Sequence, residues 1–222
     1  PIAVVALQAL LGASVGLVAF RVADGALSLC VLVLFVAWGN STRAIEVFAG
    51  AISYFLAVSW GIQDAAVQYF PDATAPTGWI LWLGYALPGA IMFTQLRPTG
   101  SAGRRMLLSC AALAMTLLPP IGVCLPGHPA YVSGELLPGT GATGIVATLI
   151  LCSVLLSCQH DDYRQVRVAG ACCIGMLVIG FALRVQEVEP TAPEHVVAMD
   201  LVYRDAAEAA TGSFGEYERL AR

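Results

Sequence analysis

The sequence predicts an all-α polytopic membrane bundle of about seven transmembrane helices, followed by the first strand and helix of an α/β domain. Three observations carry that expectation. Hydrophobic residues make up 58% of the 222 residues and charged residues only 12%, against about 25% charge in an ordinary soluble domain. The apolar residues gather into seven nearly uncharged runs. The acidic residues concentrate after residue 186, where the residue pattern changes.

The runs cover residues 2–20, 25–42, 47–63, 73–96, 106–125, 136–158 and 168–183. A hydrocarbon core about 30 Å thick is crossed by about 20 helical residues, so the first six are expected to span outright. The seventh is short and is expected to borrow Gln165 and Val166 or the stem of Arg184. Residues 1–186 form the expected transmembrane domain, and 187–222 a linker and the start of a second, extracytoplasmic domain. The chain opens on Pro1 without a basic segment, so 2–20 reads as a span rather than a signal peptide. It ends at Arg222 within a helical pattern, and is expected to be a piece of a longer protein.

The membrane part is close to neutral, with seven acids against eight arginines, whereas 187–222 holds eight acids against three arginines. That distribution argues against nucleic-acid binding. Every basic residue is Arg, which with the abundant Ala, Gly and Leu suggests a GC-rich bacterial genome. The seven cysteines lie in or at the ends of apolar runs, with no Cys-x-x-Cys pair and no His at ligand spacing, so neither a metal site nor a cofactor is expected.

Arginines mark cytoplasmic loops. Arg43, Arg97, Arg104, Arg105, Arg164 and Arg167 fall in the second, fourth and sixth loops, whereas the first, third and fifth hold only Arg21. The N-terminus is therefore expected in the cytoplasm and the tail after residue 183 outside. Trp60, Tyr69, Phe70, Trp79 and Trp82 then cluster at the outer interface, where amphipathic rings belong.

Polar candidates are few. Glu46 is expected to pair with Arg43 at the cytoplasmic rim. The fifth loop, 126–135, carries His128, Tyr131 and Glu135, and Gln63 and Trp60 end the third run. These five, Trp60, Gln63, His128, Tyr131 and Glu135, are the candidates for substrate access at the outer surface. Pro119-Pro120 is expected to kink or end the fifth helix, because proline cannot donate to the i−4 carbonyl. Gly139, Gly141, Gly144, Gly170 and Gly175 are expected to allow close helix packing.

After residue 193 a β-branched run at 196–203 reads as a buried strand, and Ser213-Phe214-Gly215-Glu216 has capping-box spacing for a helix. Apolar runs followed by such a start resemble the apolipoprotein N-acyltransferases and the similar TraB-type conjugal transfer proteins. The resemblance lies in Val58-Ser59-Trp60-Gly61-Ile62-Gln63, in Pro126-Gly127-His128-Pro129 and in 196–220. Pro138-Gly139-Thr140-Gly141 looks closer to the TraB branch.

The resemblance implies a membrane domain in the bacterial inner membrane. It would anchor a periplasmic, nitrilase-like carbon–nitrogen hydrolase or acyltransferase domain. Membrane lipid, a lipoprotein or peptide substrate, or other conjugation proteins would be its partners. The family's chemistry uses a Glu–Lys–Cys triad. This chain has no Lys, and all its cysteines lie in the membrane part, so no catalytic residue is expected here and the chain alone should be silent in acyl transfer. A small-solute transporter or a non-enzymatic membrane scaffold is the alternative reading.

Overall fold

The computed structural model describes residues 2–21, 25–70, 74–95, 101–118, 127–158 and 163–186, and among them every regular element is helical. The α-helices are α1 (Ile2–Arg21), α2 (Val31–Gly39), α3 (Ala44–Val58), α4 (Ile62–Tyr69), α5 (Ala75–Gln95), α6 (Ala102–Leu117), α7 (Ser133–Leu136), α8 (Ala142–Ser157) and α9 (Tyr163–Gln186). Short 3₁₀ turns occupy Gly25–Cys30 and Pro129–Val132.

The expectation of seven spans is corrected by helix length. Among the described residues two helical segments, Ile2–Phe20 and Gln165–Val185, are long and apolar enough to cross a membrane, or three if the bent pair α3–α4 is one crossing. The charge-free runs are interrupted by residues that break helices without adding charge. The run 25–42 begins as a 3₁₀ turn, which leaves α2 only nine residues. After α3 the chain turns through Ser59-Trp60-Gly61 and α4 leaves at 46°. Ser59 Oγ donates back to the Phe55 carbonyl at 2.6 Å, a bond that favours bending.

The fifth run stops at Leu117. Leu118 is extended (φ −86°, ψ 147°), as the residue before a proline is forced to be; Pro119-Pro120 lie outside the described residues. In the sixth, Gly139 and Gly141 have positive φ (72° and 56°) and turn the chain between α7 and the 16-residue α8. Helix α5 reaches 21 residues but carries Pro88 within it, and it is not among the membrane-crossing segments. There is no strand among the described residues; the strand and helix expected at 196–220 lie outside them.

Glycine contacts bring the helices to backbone distance. A Cβ on Gly12 would lie 2.0 Å from the Gly50 carbonyl oxygen, and one on Gly16 would lie 2.8 Å from that of Tyr54. Helix α1 therefore lies on α3 through a Gly-x-x-x-Gly face, the small-residue geometry that lets apolar helices associate. Gly180 presses on the Leu136 carbonyl in the same way, joining α9 to α7. Gly170 and Gly175, expected to serve close packing, face open space instead.

The core is aromatic. Phe35, Trp38, Phe93, Phe55 and Tyr54 are fully buried and meet edge-on in sequence, with ring centroids 5.1–5.6 Å apart, a favoured arrangement for aromatic pairs.

Helices α3, α6 and α9 all begin at one end of the molecule. There Asn40 donates to the Cys158 carbonyl (3.5 Å), and buried Arg105 donates to the Ser157 carbonyl (3.0 Å) and to Gln165 Oε1 (3.3 Å). Arg43 and Arg104 lie at the same end, and Arg164 and Arg167 in the opening turns of α9. The carboxylate of Glu46, expected to pair with Arg43, instead accepts the backbone N–H groups of Thr42 (2.9 Å) and Arg43 (3.2 Å). It thereby satisfies amides left free at a helix start.

Candidate functional site

The other end of α3, α6 and α9 holds all five access candidates, and the structure divides them into two groups.

Trp60 and Gln63 stand at the α3–α4 bend. Trp60 packs edge-on against Trp82 (5.3 Å) and Trp79 (6.4 Å), and those two meet at 5.2 Å. Three indoles thus form one cluster, because the bend turns Trp60 toward α5, where Trp79 and Trp82 are spaced i, i+3. Trp82 is held from behind, its Nε1–H donating to the Leu56 carbonyl at 2.9 Å. Gln63 is half-buried, its backbone carbonyl beneath Gly78, and its Oε1 is buried without a hydrogen-bond partner among the described residues.

His128, Tyr131 and Glu135 occupy the segment between α6 and α8. Gly127 has φ 68°, and a Cβ there would lie 2.0 Å from Val58 Cγ1. Its carbonyl accepts from Tyr54 Oη at 2.7 Å. Glycine is needed both for the conformation and for the approach to α3. That contact carries the next residue inward: His128 is 1% exposed and its ring lies 5.8 Å from that of Phe93.

The hydrogen bonds fix its tautomer. The Ala130 amide donates to Nδ1 at 3.0 Å, so Nε2 carries the hydrogen and donates to Thr116 Oγ1 at 2.7 Å. Thr116 in turn donates to the Leu113 carbonyl at 2.7 Å. Burial pushes the His128 pKa down to about 4, since the charged imidazolium would lose its hydration.

Tyr131 is exposed. Glu135 forms an ion pair with Arg184, which also donates to the Glu135 backbone carbonyl at 2.7 Å. This explains an arginine in the last turn of α9 at the end otherwise poor in arginine. Both groups are partly exposed, at 36% and 41%, so water screens the pair.

Among the described residues, two of the hollows at this end are lined by access candidates. The smaller, about 170 Å³, is lined by Leu29, Leu177, Phe181 and the Glu135–Arg184 pair. The larger, about 650 Å³, opens between α1, α3 and α5 beside Trp60 and Trp82 and is almost wholly apolar. Sequence reasoning placed Trp82 only at an interface and did not single out Ala13, Leu17, Ser53 or Ala57 of this hollow. Small residues in an apolar helix give no signal until the neighbouring helix is placed. Among the described residues no group of His, Cys, Asp and Glu is arranged to hold a metal ion.

Over 112 residues the chain is 33% identical to a probable conjugal transfer protein TraB of Sinorhizobium fredii. The match takes in 50% of this chain and 28% of that protein, so the chain corresponds to well under half of the relative's length. No family model matches the chain, and no solved structure matches it.

Proposed function

We propose that this chain is the membrane-embedded part of a TraB-type conjugal transfer protein, seated in the bacterial inner membrane. The observation that carries the reading is the 33% identity over half the chain to the Sinorhizobium fredii protein. The apolar helices, two of them of membrane-crossing length, are compatible with it.

On this reading the arginine-bearing end faces the cytoplasm, following the bias of basic residues toward that side, and the Trp60–Trp79–Trp82 end faces outward. Helix α1 starts at the cytoplasmic end and α9 leaves at the outer one. Membrane lipid surrounds the exposed faces of α1 and α9. Other conjugation proteins, or a peptide or lipoprotein substrate, meet the molecule at the outer end. Any chemistry of the whole protein lies with residues other than the described ones.

Alkaline phosphatase, active only outside the cytoplasm, tests the orientation. Fused after residue 186 it should be active, and fused at residue 101 inactive. The reverse pattern overturns the orientation.

A further inference from the structure

Between α1, α3 and α5 the chain forms an open hollow of about 650 Å³, a volume within the range of roughly 300–1,000 Å³ typical of ligand pockets. Ala13 and Leu17 form the α1 wall, Ser53, Leu56 and Ala57 the α3 wall, Trp60 the bend after it, and Trp82 the side toward α5. Because α1 and α3 run in the same direction, Ala13 and Ser53 mark one end of the hollow and Trp60 and Trp82 the other. The alanines leave the space. Trp82 cannot swing in to fill it, since its indole N–H is tied to the Leu56 carbonyl.

We infer that this hollow holds one acyl chain of a membrane phospholipid, with its methyl end toward Ala13 and its headgroup end at Trp60. The inference rests on the membrane reading proposed above. Helix α1 is one of the segments of membrane-crossing length, so the depth of Ala13 and Leu17 is hydrocarbon and no water is at hand to fill the space. The lip of the hollow continues directly into the exposed face of α1, where Leu10 and Leu17 meet lipid. An empty hollow in that position would forfeit the dispersion contacts of its lining, and lipid chains are the solvent that can restore them. Three clustered indoles at one end supply an amphipathic rim of the kind that lies at headgroup level, and this sets the chain's direction.

The test is photolabelling of the full chain in vesicles of phosphatidylcholine and phosphatidylglycerol. The phosphatidylcholine carries a diazirine near the methyl end of one acyl chain, and adducts are mapped by mass spectrometry. Adducts on Ala13, Ser53 and Ala57 should exceed, several-fold, those on the outward residues Ile174 and Val178 of α9. Ala13→Phe and Ser53→Leu, each filling the space, should abolish the excess and leave the α9 adducts unchanged. The ratio in the unaltered chain is informative even if a filled variant does not fold.

Adducts spread in proportion to exposure, or unchanged by either variant, overturn the acyl-chain site while leaving the membrane reading intact. Absence of adducts from both α1 and α9 overturns the membrane reading itself. A photoreactive residue at position 13 that cross-links two copies of the chain shows that a second copy fills the hollow, and that also overturns the inference.

Discussion

His128 donates through Nε2 to Thr116 Oγ1 at 2.7 Å, joining the segment after α6 to the last turn of that helix. The hydroxyl passes its own hydrogen to the Leu113 carbonyl and the Ala130 amide fills Nδ1. Each polar atom of this buried relay is therefore matched. Thr116→Val removes the acceptor and strands the Nε2–H in the core, which should cost about 1–3 kcal/mol. Thermal unfolding in detergent micelles reads the loss; an unchanged midpoint would deny the relay.

The same histidine gives the chain a pH dependence. Burial lowers its pKa from the ordinary 6.5 to about 4 in the folded state, so between those values the unfolded chain binds more protons than the folded one. Stability from this residue is fully present above about pH 6.5 and is lost as pH falls toward 4. The loss is on the order of 3 kcal/mol. Unfolding midpoints measured across that window should drop with acidification in the natural chain. In His128→Leu that component of the slope should vanish.

Two contacts fasten α9 to α7, and they should differ in weight. The Glu135–Arg184 pair is partly exposed, so Glu135→Gln should cost under about 1 kcal/mol, less at high salt. Gly180 touches backbone: its Cβ would fall 2.0 Å from the Leu136 carbonyl oxygen. Gly180→Leu should therefore displace α9, seen as faster proteolysis after residue 163, while Glu135→Gln leaves the digestion pattern unchanged.

Helix α1 depends on Gly12 in the same way. Gly12→Leu should separate α1 from α3 and lower the unfolding midpoint by several degrees. Gly170→Leu, with open space before it, should be nearly neutral. Equal effects of the two substitutions would show that the glycine contact does not set the packing.

The helical, apolar character of the described residues was legible because absence of charge is a property of single residues. Span length was not. Ser59, Gly61, Leu118, Gly139 and Gly141 are uncharged, so a charge-based reading runs through them while the helix stops or turns there. The Trp60 cluster was foreseen only as separate interface aromatics, because its geometry depends on the 46° bend. The inward turn of His128 was not legible at all: it is set by Gly127 against Val58 and by Thr116, neither of which is a local polar partner. The pairing of Arg184 with Glu135 spans 49 residues and joins two elements that sequence spacing does not relate.

Transfer frequency tests the central claim most directly. A donor lacking the gene for the full-length protein should transfer its conjugative plasmid poorly. The natural gene should restore transfer, and Gly12→Leu, which disturbs the membrane part alone, should restore it only weakly at matched expression. Undiminished transfer from the deletion donor would contradict the account.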